Sequence, residues 1–242
     1  MKVRFVIYAS LFLLELIAIP WVWEPVPSWA MAWTATATTL FLGIIALFQE
    51  RFWNWLKKPE LEIGFWLKPP DCHRTWFGGE IGTYYFRLRI INNGKSLAKD
   101  VEVIVEELSK KVADSTYKQD AEFLPLNLVW SHFKGIKQNI QPFGIYKFCD
   151  LGFILEPNAQ QMNINTGPVF PKKDEKLLFW FDFAIQPFAK PNYLLPGTYR
   201  FKITATASNA APAKADFELY WSGNWKDTDS DMMDKEIVIR KM

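Results

Sequence analysis

Beyond residue 59 the chain alternates apolar and polar positions with a period of two, the repeat of a half-buried β-strand. In ELEIGFWL, Leu61, Ile63, Phe65 and Leu67 share one side. In TYYFRLRII, Tyr84, Phe86, Leu88 and Ile90 oppose Tyr85, Arg87 and Arg89; in DVEVIVEE, Val101, Val103 and Val105 oppose Glu102 and Glu106. The same pattern predicts strands within 123–130, 145–154, 176–185, 198–207 and 215–222, separated by turn formers such as NNGKS, KPNYLLPG and SNAAPAK. Seven or more short strands at this spacing predict an all-β fold, a sandwich of two antiparallel sheets with a Greek-key connection. Stretches 108–122 and 155–175 read as long loops or added elements. The tail KDTDSDMMDKEIVIRK predicts a short helix capped by Thr228 or Ser230, with Asp231 in its first turn, followed by a strand at EIVIRK.

Before residue 50 the pattern is different, with two continuous apolar segments over about 5–23 and 29–48. Each is close to the roughly 20 residues that an α-helix needs to cross a hydrocarbon core. The connector EPVPS is short and proline-rich, so residues 1–58 predict a transmembrane helical hairpin and 59–242 a separate β domain. A cleaved signal peptide is the alternative for the first segment, but Glu15 interrupts it and no small-x-small site precedes IPWVW. Trp21, Trp23, Trp29 and Trp33 cluster near the connector, and Trp53 and Trp55 follow the second segment, where membrane-interface anchors belong. Lys2, Arg4, Arg51, Lys57 and Lys58 flank the spans, while the connector holds no Lys or Arg. The expected localisation is the inner, cytoplasmic membrane, with both termini and the β domain on the cytoplasmic side. Glu15 is costly inside a bilayer unless it is paired or protonated. Thr34, Thr36, Thr38 and Thr39 of the facing span are candidate donors to it, in a packing contact, a contact with another membrane subunit or an ion path.

Composition narrows the function classes. Half of the 242 residues are hydrophobic and the net charge is +2 without a basic run, which disfavours a nucleic-acid partner. Cys72 and Cys149 are too few for a disulfide framework and read as reduced thiols of a cytosolic domain.

In INNGKSLAKDVEVIV, Asn93-Gly94 predicts a tight turn of positive φ, with Ala98 and Val101 tucked beneath it. LLPGTYRFKITATASNA turns at Pro196-Gly197 and starts a strand at Tyr199. Together these stretches resemble the adhesion-type, immunoglobulin-like sandwich domains of the CARDB class. The whole chain looks like bacterial membrane proteins of unassigned function that join two helices to such a domain. The resemblance implies an anchoring or interaction role and transfers no site.

Chemistry-bearing residues are sparse. Asp71-Cys72-His73 is the densest group of metal-capable side chains, but zinc needs three or four converging ligands, and His132 and Cys149 are not suitably spaced. Asp227, Asp229 and Asp231 begin like a calcium loop, yet Met232 and Val238 stand where such a loop requires glycine and glutamate. No G-x-S-x-G or phosphate-cradling motif is present, so no catalytic residue, metal or cofactor is expected. Aromatic residues make up 17%. Trp66, Trp76, Trp130, Trp180, Trp221 and Trp225 belong either to the core or to a partly exposed surface for a protein partner or a sugar. The expected function is a membrane-anchored, non-enzymatic protein-interaction module that meets another protein or a second copy of itself. The alternative is an oligomeric membrane effector or pore whose β domain senses or assembles.

Overall fold

The computed structural model describes residues 28–113, 116–157, 176–185 and 192–242. The chain divides after Lys57 into two units. In the first, helix α1 (Ser28–Leu56) runs for 29 residues. Leu40, Phe41, Leu42 and Ile44 are all exposed; at 3.6 residues per turn they occupy more than half of the helix circumference. Among the described residues no helix is long and apolar enough to cross a membrane. The expected first span, with Glu15, Trp21 and Trp23, lies outside the described residues. The expected second span falls within α1, which continues through Trp53 and Trp55. Thr36 and Thr39 donate to Ala32 O and Ala35 O of their own helix, each at 2.8 Å, as helical threonines commonly do.

The second unit consists mostly of two antiparallel sheets. The first has the order β1 (Leu61–Gly64), β3 (Ile81–Asn92), β9 (Ile145–Leu155), β10 (Phe179–Phe181), β11 (Tyr193–Leu194), with β2 (Cys72–Phe77) also paired to β3 and β7 (Val129–Trp130) to β9. The second has the order β14 (Ile237–Lys241), β13 (Ala210–Trp221), β12 (Gly197–Ala207), β4 (Ala98–Ala113), β5 (Thr116–Gln119); β6 (Leu126–Asn127) and β8 (Gln138–Ile140) also pair with β4. The inward sets are those that the alternation selects. Tyr84, Phe86, Leu88 and Ile90 of β3 are buried with Val101, Val103 and Val105 of β4 and Phe217, Leu219 and Trp221 of β13. A run of ring contacts at 5.5 to 5.9 Å, Phe86 to Phe179 to Phe181 to Phe201 to Phe217, ties the sheets together.

The NNGKS segment departs from the expected turn. Neither Asn93 nor Gly94 has positive φ, and β3 and β4 belong to different sheets, so residues 93–97 cross between sheets instead of closing a hairpin. The residue that organises the crossing is Asn92, which is wholly buried. Its Oδ1 accepts from Glu60 N and Gly94 N, both at 3.1 Å, and its Nδ2 donates to Ser96 O at 2.8 Å and Ile140 O at 3.0 Å. Gly94 is needed for close approach, because a Cβ there would lie 2.3 Å from Lys58 O.

Stretch 72–77, which lacked a strand signal, is β2, and much of 108–122 is the end of β4 with β5. At the C-terminus Thr228 accepts from Asp231 N to cap a single turn, α2 (Asp229–Asp231), which passes into a π-helical turn over Met232–Glu236 before β14.

Carboxylates whose pKa values folding lowers, Glu218 and Glu236 among them, should make the domain acid-sensitive. Hydrogen bonds from Tyr117 and Arg240 hold Glu218 below its usual 4.5. Ser222 and Asn224 do the same for Glu236. A carboxylate depressed by folding adds stability above its unfolded pKa and loses it as pH falls through the folded value. Denaturant unfolding from about pH 7 to about pH 3 should therefore show stability falling below about pH 4.5, with a shallower fall in Glu218→Gln. An unchanged slope in that variant would remove Glu218 from the account.

Candidate interaction surface

The outer faces of the two sheets are built differently. On the second sheet the charges neutralise one another across strands: Lys202 with Glu107 at 2.7 Å, Lys137 with Glu102 at 3.2 Å, Lys214 with Glu106 at 3.4 Å, and Arg200 and Arg240 with Glu218. Such a face is well solvated.

On the first sheet the outward positions of β3 and β9 carry arginines and aromatic rings instead. Pairing sets Arg89 opposite Phe148, and opposite Gly64 on its other side, and sets Tyr85 opposite Phe153. The Trp66 ring covers Arg89. The guanidinium lies 3.7 Å from the centre of the Trp66 ring and 5.2 Å from that of Tyr146. Its Nε donates at 2.7 Å to Asp71, a wholly buried carboxylate that also accepts from Trp66 N at 2.9 Å. Trp66 is thereby fixed through backbone and ring, yet it remains 54% exposed, beside Tyr146 at 41%. Arg87 stacks 4.8 Å over Phe148, donates to Pro70 O and meets His73 Nδ1 at 3.1 Å. Burial, then the Arg87 charge, lowers the His73 pKa, so the ring stays neutral and accepts.

Farther along the same face, Lys134 bridges Asp150 at 2.9 Å and Asp182 at 2.5 Å, and Ser131 Oγ donates to Asp150. Burial opposes the lysine's charge, but the hydrogen bonds it donates to both carboxylates outweigh this and raise its pKa. Burial lifts Asp182 in spite of Lys134. A lysine held as a cation fixes its charge between the two carboxylates. Tyr85, Phe153, Trp180 and Tyr193 continue the aromatic row, with successive ring distances of 5.7, 6.5 and 5.0 Å.

The other residues singled out in the sequence are dispersed. Asp71, Cys72 and His73 do not converge: the first pairs with Arg89, Cys72 Sγ turns to Trp66 O, and the third meets Arg87. Asp227 and Asp229 engage Arg74, and Asp231 pairs with Lys235 at 2.7 Å. The first two fasten the tail to β2, and Tyr84 Oη of β3 donates to Lys226 O; burial pushes that phenol up to about 12. Among the tryptophans, Trp130, Trp180 and Trp221 are buried, Trp225 is half-buried, and Trp66 and Trp76 are exposed. In the helical unit Trp29 is exposed, Thr38 is half-buried, and Thr34 has a partner.

A cavity of about 380 Å³ opens between the sheet edges, floored by Leu108, Phe123, Phe181, Phe183 and Tyr199, with Lys110 and Asn192 at its rim. Tyr199 Oη donates to Leu195 O at 2.9 Å across its mouth.

The Trp66–Arg89–Tyr146 cluster has no local signature, since its members come from three separate stretches. The available signal is that the outward positions of β3 and β9 are arginine and aromatic, not the Lys and Glu of β4. Searches of family models, curated proteins and solved structures return no match to this chain.

Proposed function

We propose that this chain is a membrane-anchored, non-enzymatic interaction module whose immunoglobulin-like sandwich binds another protein through the outer face of its first sheet. The observation that carries the reading is the contrast between the two outer faces. One is covered by cross-strand ion pairs, and the other presents Trp66, Tyr146 and Arg87 over a rigid floor of rings. Trp, Tyr and Arg dominate the energetics of protein interfaces when they are held in place and desolvated, and here Asp71 and Arg89 hold Trp66 before any partner arrives. An immunoglobulin-like topology is supported by Tyr199, whose hydroxyl reaches back to Leu195 near the start of a strand.

Residues 1–58 serve as the anchor. The spread of exposed apolar side chains around α1 supports this, because a helix without a polar face needs lipid or protein around it. The basic residues that flank the apolar segments support a cytoplasmic domain.

Trp66→Ser with Tyr146→Ser should lower the yield of the main in-cell crosslinked adduct of the full chain about tenfold, the loss of roughly 1.4 kcal/mol at an interface centre. Tyr220→Ser with Val238→Ser, on the opposite face, should leave the yield unchanged. Equal yields from both pairs, with folding verified by circular dichroism, would overturn the assignment of the face.

A further inference from the structure

We infer that the end of the sandwich where the chain enters is a membrane-docking tip that places Phe143 among the headgroups of an anionic bilayer. The inference rests on the anchored reading, which brings a bilayer to this end. Backbone hydrogen bonds join the entering chain, the β3–β4 crossing and the 141–144 turn: Lys95 N to Lys58 O at 3.2 Å, Asn93 N to Glu60 O at 2.8 Å, Phe143 N to Gly94 O at 3.1 Å and Gly144 N to Asn92 O at 2.9 Å.

Phe143 projects from this end, 77% exposed and with φ of 67°. A bulky side chain is disfavoured at positive φ, where asparagine or glycine sits with less strain. Water offers a phenyl ring no compensation, whereas the interfacial zone of a bilayer does. Ile145 follows, 49% exposed, so the apolar surface extends beyond one residue. Exposed charges at this end are Lys58, Lys95, Lys99 and Lys147 against Glu60, Glu62 and Asp100. Four against three leaves one net positive charge, the sign that an anionic surface attracts. Asn93 and Ser208 donate to Glu62 and Asp100, respectively.

The test uses the full chain in phosphatidylcholine–phosphatidylserine vesicles that carry a nitroxide lipid quencher, with an environment-sensitive dye on Phe143→Cys, Glu80→Cys or Leu42→Cys. Cys72 and Cys149 are buried with raised thiol pKa values, so they resist labelling. Glu80 lies beyond the far end of β3, roughly 35 Å away along the strand.

The expected result is a blue-shifted, strongly quenched dye at 143 and an unquenched one at 80. An aqueous dye at 143 with a quenched dye at 42 would overturn the docking tip and leave the anchor standing; aqueous dyes at both would overturn the two together. Quenching at 143 with an aqueous dye at 42 would support the tip without the span. As a second measurement, Phe143→Asn should keep or raise folding stability while a dye on Ile145→Cys loses its quenching. Loss of stability on the scale of a core substitution would make Phe143 a packing residue and refute the inference.

Discussion

Asn92→Ala is expected to destabilise the sandwich by about 4 kcal/mol, because the change strands two backbone N–H groups and two carbonyls around a wholly buried position. The four partners come from the entering chain, the crossing segment and β8, so the loss is felt at three places at once. Asn92→Asp keeps the acceptor and turns the donor into an oxygen that faces two carbonyls. That carboxyl should have a raised pKa in the folded state, so the variant loses stability as pH rises through the range above about 4, the opposite slope to that of Glu218. Urea unfolding at two pH values measures both effects. A loss under about 1 kcal/mol in Asn92→Ala would mean that water takes over the side chain's bonds.

The second large effect belongs to Asp71. Asp71→Ala leaves the guanidinium of Arg89, a residue only 8% exposed, without its carboxylate and frees the Trp66 backbone. Removing one member of a buried pair typically costs about 3 kcal/mol or more, while replacing both by apolar groups costs much less. In a double-mutant cycle, Asp71→Ala and Arg89→Met should each be strongly destabilising, and the double variant should fall well short of their sum. Additive losses would show that the two groups act separately. The same variants should weaken partner binding more than their stability loss predicts, since Trp66 loses its fixed orientation.

The strands that were legible in the sequence are those with one wet and one dry face, such as β3, β4, β12 and β13. Strand β2 escaped because its buried positions include Cys72 but not Arg74 or Trp76, so CHRTWF shows no clean period. Asn93-Gly94 was misleading for a physical reason: a dipeptide signals local turn chemistry, whereas the path of β3 to β4 is decided by their separate pairings with β9 and β12. The tryptophans showed the same limit. Identical residue types went to the core at Trp130 and Trp221 and to the surface at Trp66, which follows β1 outside any strand, and only the tertiary arrangement decides between them. The Arg89–Asp71 pair was invisible because 18 residues and an unread strand separate its members.

Whether the first sheet's outer face is the binding surface can be read from a photoreactive amino acid placed at Tyr146 or Val238 in the full chain in living cells. A discrete adduct is expected from position 146, lost on adding Asp71→Ala, and none from position 238. An adduct from 238 with none from 146 would contradict it and move the interface to the charge-paired face.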